Sequence, residues 1–205
     1  MKTKIAVLVS GGGTNLQALI DAQGKTLVSG EIALVVANNA NAYALERAKK
    51  AGIPTAVVLK KQCGSQEAFE EKLKEVLEEY GIEVIILAGF LNILSGSFTE
   101  KYPDRILNVH PSLIPAFCGE GFYGLRVHEA ALRYGVKVTG ATVHYVNQIP
   151  DGGRIIAQKA VEILPGDTPQ VLQRRVMEQA EWVLLPQAAE QVCHEIINHS
   201  SEDAK

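Results

Sequence analysis

An amide and an imidazole, Asn108 and His110, stand one residue apart at the end of a short apolar run in this 205-residue chain. The run, residues 105–107, predicts a buried strand, and residues two positions apart on a strand point to the same face. Pro111 ends that strand, because proline has no N–H for the hydrogen-bond ladder. Ligands of open α/β sheets bind where parallel strands end. The pair therefore predicts a site that donates hydrogen bonds to a developing oxyanion; the alternative is a polar strand end with a capping amide and a surface histidine.

Asp151 lies in a stretch, 149–153, whose Pro, Asp and Gly residues predict a turn. The simplest interpretation is a turn aspartate that bonds its own backbone. The functional alternative places its carboxylate against His110, where it would raise the pKa of the imidazole above the reference value of about 6.5. Together with Asn108, such a pair suggests direct attack by a substrate amine on an activated carbonyl, because Ser112 lacks the flanking glycines of a nucleophile elbow. His144, on a predicted strand, either lines the same cleft or is an exposed strand residue.

Three consecutive glycines follow the first predicted strand and precede the first predicted helix. Their bare backbone N–H groups at a helix N-terminus favour a phosphate-binding loop. A dinucleotide fingerprint fits less well, because Leu16 stands at the third glycine position and Asn38 where a ribose-binding acid is expected. The remaining alternative is that Thr14 only caps the helix, with Gln17 completing a capping box. The predicted phosphate-binding residues are Gly12, Gly13, Thr14 and Asn15.

Strand-like and helix-like segments alternate along the first half of the chain. This order predicts an α/β fold, an open and mostly parallel twisted sheet with helices on both faces, similar to the Rossmann fold. Residues 1–199 are expected to form a single domain and 200–205 a disordered tail. The predicted strands are Ile5–Val9, 32–36, 55–58, 84–87 and a run ending at Val109, followed by a loop at Phe117–Gly124, a helix at 127–134, C-terminal strands at 137–146 and 154–163, and a long helix at Thr168–Asn198 with a kink at Pro186.

The composition, 47% hydrophobic and 21% charged, is that of an ordinary soluble globular protein. The net charge of −3 provides no general attraction to nucleic acid or to a membrane surface, so neither is an expected partner. The N-terminal apolar run is too short for a signal peptide or a membrane span. Cys63, Cys118 and Cys193 lack the paired spacing of a metal site, which predicts free thiols, a cytoplasmic location and no metal.

Several segments resemble the phosphoribosylglycinamide formyltransferases, from Lys4 to about residue 190. The Asn-x-His-Pro-Ser-Leu-x-Pro stretch is typical of the wider group of enzymes that use 10-formyltetrahydrofolate. The glycine opening and the short length favour this family over methionyl-tRNA formyltransferase and formyltetrahydrofolate hydrolase, which carry added domains. The matching segments are Val9–Gln17, Leu87–Leu94, Asn108–Pro115, Thr139–His144 and Asp151–Gly153.

The resemblance implies an enzyme that transfers the formyl group of 10-formyltetrahydrofolate, its co-substrate, to the amine of 5'-phosphoribosylglycinamide in purine synthesis. By that likeness Asn108 and His110 stabilise the tetrahedral oxyanion, while Asp151 keeps His110 protonated and relays the proton. Glu181 would bind the glycinamide end. The partners are small-molecule substrates, and a monomer or weak homodimer is expected. The residues implied for folate binding are Gln66, Phe90, Leu91, Asn92, Ile93, Leu94, Asn108, Asn147 and Asp151.

Four departures from the family pattern affect these expectations. Gln66 stands where many relatives carry a basic residue that meets the folate tail, so the affinity for the glutamate tail is open. Asn92 occupies another position that is often basic, which matters less if the backbone binds the pterin. The loop Cys118–Gly124 is longer than in many relatives, and the helix near Glu181 carries one extra residue. Two alternatives remain at this point: another 10-formyltetrahydrofolate enzyme, and a non-catalytic nucleotide-binding sensor on the same fold.

Overall fold

The strands form one seven-stranded sheet in the computed structural model, which describes residues 2–202 and the side chains as far as residue 199. In chain order the strands are β1 Thr3–Val9, β2 Gly30–Ala37, β3 Thr55–Val57, β4 Val84–Leu87, β5 Ile106–His110, β6 Val138–Tyr145 and β7 Ile155–Glu162. Their order across the sheet is β3-β2-β1-β4-β5-β6-β7. Strands β1 to β5 pair in parallel, and β6 and β7 continue the sheet in antiparallel pairing. The predicted open, mostly parallel sheet is confirmed.

Some of the helices begin at a residue whose side chain caps them. The hydroxyl of Ser65 accepts a hydrogen bond from Ala68 N–H at the start of one helix, and that of Thr168 accepts one from Val171 N–H at the start of another. In chain order the helices are α1 Thr14–Ala22, α2 Tyr43–Lys50, α3 Lys60–Cys63, α4 Gln66–Glu79, α5 Gly96–Thr99, α6 Leu125–Tyr134, α7 Pro169–Val176 and α8 Trp182–Glu202.

The two faces of the sheet carry separate cores, because side chains alternate along each strand. On β1, Ile5 and Val7 belong to one core, while Ala6 and Leu8 belong to the other. Helices α1, α2, α7 and α8 cover the first core, and α4 and α5 cover the second. Both faces of the parallel strands are thus buried, as a sheet of this type requires. The apolar side chains buried on α4 are Phe69, Leu73 and Leu77.

The C-terminal helical region is divided, whereas the sequence predicted one helix with a kink at Pro186. A π-helical turn, Met177–Glu181, separates α7 from α8, and Pro186 lies inside α8. A π turn holds more residues than an α turn, so the helix is wider around Glu181 than a regular α-helix. Of the predicted tail, residues 200–202 continue the helical backbone of α8, and 203–205 lie outside the described residues.

The order of the strands determines where a ligand can enter. Helices α1 and α2 lie on one face of the sheet and α4 on the other, so the chain changes direction between β1 and β4. The carboxyl ends of β1, β4 and β5 therefore meet at a topological switch point, where open α/β sheets bind ligands. The glycine loop follows β1, the segment 88–95 follows β4, and β5 ends at His110.

Candidate active site

Asn108, His110 and Asp151 converge at this switch point. His110 Nδ1 lies 3.4 Å from Asp151 Oδ2, and Asn108 Nδ2 lies 3.5 Å from Asp151 Oδ1. The other ring nitrogen of His110, Nε2, lies 2.9 Å from the carbonyl oxygen of Phe117 and donates to it. Nδ1 is thus the nitrogen that faces the carboxylate. The contact that sequence spacing could not establish is present, and the catalytic roles of the three residues stay predictions.

Asp151 is held in place by backbone geometry and by hydrogen bonds. Its φ of 54° lies in the left-handed region, which is uncommon for residues other than glycine. Gly119 N–H donates to Asp151 Oδ2 at 2.8 Å. His144 lies directly opposite Asn108 in the antiparallel β5–β6 pair, and its Nε2 is 3.6 Å from Asp151 Oδ1. A loop, a turn and two strands therefore fix one carboxylate.

Burial decides the protonation state of His110. It lowers the pKa of the imidazole below the ordinary value, although the Asp151 carboxylate and the Phe117 carbonyl act in the opposite direction. The prediction of a raised pKa is therefore wrong, because it considered the carboxylate without the loss of water around the ring. For Asp151, burial raises the pKa, but the hydrogen bond from His144 and the charge of His110 more than offset it, so the pKa is lowered. The free site holds an ionised carboxylate beside a neutral imidazole at neutral pH.

The three residues border a cavity of about 550 Å³ with one apolar and one polar side. Phe90, Leu91 and Ile93, from the segment after β4, supply apolar surface. Thr14 and Asn15 from α1 and Glu181 from the π turn supply polar groups. A cavity of this size and mixed lining suits an organic molecule with a few fixed polar groups.

The glycine loop is shaped by contacts with α2. Gly13 has a φ of 71°, and a Cβ at this position would lie 2.6 Å from Ala44 Cβ. Arg47 Nε donates to the carbonyl oxygen of Gly12 at 2.8 Å. Gly13 is the N-cap of α1, which has no side-chain cap, so the capping box built on Thr14 and Gln17 is wrong. The first N–H groups of α1 are free of side-chain partners and suited to an anion.

Glu181 is buried within the polar side of the cavity. Its Oε2 accepts a hydrogen bond from Asn15 Nδ2 at 2.8 Å, which joins the π turn to the first turn of α1. Burial raises the pKa of the carboxyl to about 7, although the Asn15 amide acts in the opposite direction. The wide turn directs Glu181 towards the cavity. A carboxyl in this position can accept a hydrogen bond from an amine or a hydroxyl.

Several predicted folate residues lie beside the cavity rather than in it. Gln66 Nε2 donates to the carbonyl oxygen of Ile93 and to Glu70, so its amide holds the segment after β4. Gln66, Asn92 and Leu94 border an adjoining groove that shares Leu91 and Ile93 with the cavity.

Two further candidates support the site from outside the cavity. Asn147 orders its own turn by accepting from Ile149 N–H and borders a separate groove next to Arg154. The sequence left two interpretations of His144, a residue that lines the cleft or an exposed strand residue, and the structure fits neither. Its ring is buried behind Asn108 and Asp151, and it does not border the cavity. Gly12 and Gly13 likewise form the loop without bordering the cavity.

Residues 3–188 match the family model of formyl transferases. The phosphoribosylglycinamide formyltransferase of Escherichia coli is 40% identical over 175 residues, which cover 85% of this chain and 80% of that protein. That of Haemophilus influenzae is 40% identical over 183 residues, covering 89% and 84%. The chain belongs to the phosphoribosylglycinamide formyltransferase family. A crystal structure of glycinamide ribonucleotide transformylase 1 from Symbiobacterium toebii superimposes with a TM-score of 0.88 at 40% identity, covering 95% of this chain and 89% of that one.

The chain also resembles part of larger proteins. The trifunctional purine biosynthetic protein adenosine-3 of Gallus gallus is 48% identical over 191 residues, which cover 93% of this chain. The chain spans only 18% of the length of that protein. The similarity thus concerns less than a fifth of that protein.

The sequence predicted the loop Phe117–Gly124 but not that its backbone closes this site. Phe117 and Gly119 supply the backbone partners of His110 and Asp151, yet their side chains carry no chemical signal. Phe117 has a φ of 50° and its ring packs against Phe122 and Tyr134. The glycines of the loop, together with its position directly after the His-Pro-Ser-Leu stretch, were the only available signal. Among residues 2–202, no group of three or more His, Cys, Asp and Glu side chains could hold a metal, and no helix could span a membrane.

Glu181→Gln is expected to change how the stability of this formyltransferase depends on pH. The folded-state pKa of about 7 lies above the ordinary 4.5, so the folded protein retains a proton that the unfolded chain releases. Wild-type stability should therefore fall relative to the variant by up to about 1.4 kcal/mol per pH unit as the pH rises between these values, and then stay constant. Urea unfolding of both proteins from about pH 5 to about pH 8 measures this difference. Parallel curves would contradict the prediction, and the surface variant Glu46→Gln is the control.

Proposed function

We propose that the protein transfers the formyl group of 10-formyltetrahydrofolate to the amine of 5'-phosphoribosylglycinamide, as the names of its relatives suggest. The observation that carries the proposal is the meeting of Asn108, His110 and Asp151 at a cavity that also borders the first turn of α1. One cavity thus offers oxyanion donors, a proton acceptor and a place for a phosphate.

The geometry suits direct attack without a covalent enzyme intermediate. The substrate amine forms a bond to the formyl carbon, and negative charge develops on the formyl oxygen. Asn108 Nδ2 donates to this oxygen. The negative charge on the oxygen favours uptake of a solvent proton by His110 Nδ1, which then donates as well and returns that proton to solvent when the oxyanion collapses. Asp151 accepts the proton that the attacking nitrogen loses. The carbon–N10 bond breaks as N10 receives that proton, which yields the formylated amine and tetrahydrofolate.

The two substrates are assigned to the two sides of the cavity. We place the phosphate on the loop and helix start that contain Gly12, Gly13, Thr14 and Asn15, and the glycinamide end near Glu181. The uncapped N–H groups of α1 support this placement. We place the pterin against Phe90, Leu91 and Ile93 and the folate tail in the adjoining groove with Gln66, Asn92 and Leu94. Asn147 contributes to folate binding through the turn that holds Asp151.

The test is a turnover assay with the purified chain. Glycinamide ribonucleotide and 10-formyltetrahydrofolate are mixed with the protein, and the absorbance of the folate is followed. Turnover that requires the amine is the expected result. Release of formate without the amine would identify a hydrolase, and binding of ribonucleotide without turnover would identify a nucleotide sensor. Either outcome would overturn the proposal.

The setting of the protein is proposed from the sequence alone. We infer a single domain, a cytoplasmic location with reduced thiols, and a monomer or weak homodimer that binds neither nucleic acid nor membranes. Cys63, Cys118 and Cys193 are free thiols in the structure, which is compatible with that setting. Sedimentation of the full chain measures the oligomeric state.

A further inference from the structure

His128 is a buried polar residue that the proposed mechanism does not use. It lies in the first turn of α6, is fully buried and borders the cavity that contains Asn108, His110 and Asp151. Neither of its ring nitrogens has a hydrogen-bond partner among the described residues. Buried polar groups in folded proteins are almost always paired, and an unpaired group reduces stability. Hydrogen bonds within the protein therefore do not explain why a polar ring is buried at this position.

The position of His128 beside the cavity distinguishes it from most other buried polar residues that lack a hydrogen-bond partner. Among the described residues, buried side-chain atoms without a partner occur on Asn15, His128, Thr139 and Trp182. Asn15 and His128 border the cavity, whereas Thr139 and Trp182 do not. Two unpaired polar groups thus face the space where a substrate would supply partners.

The charge state of His128 limits what it can bind. Burial, and next the charge of His110, lower the pKa of the His128 imidazole to about 4. The ring is neutral at neutral pH and offers one N–H donor and one lone-pair acceptor. Such a ring suits an uncharged partner that can also donate and accept, such as a hydroxyl or an amide. A phosphate or carboxylate would gain more from a cation.

The surrounding elements indicate which substrate reaches His128. Helix α6 packs against α7, and the π turn after α7 carries Glu181, which bonds Asn15. His128 therefore shares a side of the cavity with the start of α1. The apolar residues Phe90 and Leu91 come instead from the segment after β4. This arrangement places His128 with the ribonucleotide rather than with the folate.

We propose that His128 binds an uncharged polar group of the ribonucleotide, a ribose hydroxyl or the glycinamide amide, and thereby positions the amine for attack. The inference rests on the proposed function and adds a positioning residue to it. The substrate group loses its contact with water when it binds in the cavity. A hydrogen bond from His128 in this buried setting therefore contributes more to affinity than one at the surface.

The test compares kinetics and stability of His128→Leu. The KM for glycinamide ribonucleotide should rise about tenfold to a hundredfold, because the buried substrate group loses its partner. The KM for 10-formyltetrahydrofolate should change by less than about twofold. The melting temperature of the ligand-free protein should be unchanged or higher, because the variant removes an unpaired polar group. An unchanged KM for the ribonucleotide would overturn the proposal, and so would a loss of stability with both KM values raised equally.

Two variants and two probes complete the design. Thr139→Val removes a buried hydroxyl that also lacks a partner but lies away from the cavity. This variant should leave both KM values unchanged. His128→Gln keeps an uncharged donor and acceptor and should recover part of the affinity. Calorimetry with ribose 5-phosphate and with glycinamide ribonucleotide then locates the bonded group. Weaker binding of both by His128→Leu indicates a ribose hydroxyl, and weaker binding of the second alone indicates the amide.

Failure of this inference and failure of the proposed function are distinguishable. If the wild-type protein shows no amine-dependent turnover, the proposed function is wrong. If the wild type turns over and His128→Leu matches it in both KM values and in ribonucleotide affinity, only the role of His128 is wrong.

Discussion

Asp151→Asn is expected to lower kcat about a thousandfold, within the range that general acid–base groups contribute. This loss corresponds to about 4 kcal/mol of activation free energy. The amide retains an oxygen that can accept from Gly119 N–H, so the loop should keep its geometry. It removes the charge that stabilises a protonated His110 and the site that accepts the proton of the amine. Steady-state kinetics gives the change in kcat, and calorimetry should show a ribonucleotide Kd within about threefold of the wild-type value.

Asp104→Asn is the matched control for this experiment. Asp104 also has a positive φ, 52°, but its side chain is exposed and pairs with Arg154 outside the cavity. Its substitution should leave kcat unchanged. If Asp151→Asn reduced ribonucleotide affinity as much as kcat, Asp151 would be a structural turn residue and the proton-transfer role would be wrong.

Gly13→Ala is expected to reduce both stability and ribonucleotide affinity. The φ of 71° is strained for alanine, and the added methyl group would lie 2.6 Å from Ala44 Cβ and 2.9 Å from Ala44 Cα. Left-handed strain and overpacking together should cost about 3 kcal/mol of unfolding free energy. Displacement of the loop should also move the N–H groups at the start of α1, and so raise the ribonucleotide Kd at least about tenfold. Urea unfolding and calorimetry measure the two effects.

Gly12→Ala is the control for Gly13→Ala. It adds the same methyl group to the loop at a position where the group meets no neighbour. A Cβ at Gly12 would meet nothing within 4 Å, and the residue has no positive φ. We expect less than about 0.5 kcal/mol of destabilisation, as for other unstrained surface positions. Equal destabilisation by the two variants would show that contact with Ala44 does not shape the loop.

The elements of the parallel sheet could be predicted because local signals and tertiary demands agree there. Residues 5–9 of β1 and all of β4 are apolar without interruption, and strands buried on both faces require this. Phe69, Leu73 and Leu77 of α4 follow helical spacing because only one side of that helix meets the sheet. Asn108 and His110 were found for the same reason, since both lie on a strand whose end is marked by Pro111.

The parts that could not be predicted depend on long-range contacts. His144 lies beside Asn108 only because β6 pairs with β5 in antiparallel register, and no local pattern determines that register. The lowered pKa of His110 depends on how deeply the fold buries the ring. His128 lacks hydrogen-bond partners because the fold brings no donor or acceptor of the described residues to its ring nitrogens. Spacing along the chain contains none of this information.

The π turn at Met177–Glu181 fixes the rotation of α8 relative to α7. Each residue of an α-helix turns the following segment by about 100°, so one inserted residue would rotate the apolar side of α8 away from the sheet. With the wider turn in place, Glu181 faces the cavity while Leu185 and Ala189 are buried. Removing one residue from the turn would therefore rotate either Glu181 away from the cavity or Leu185 and Ala189 away from the core.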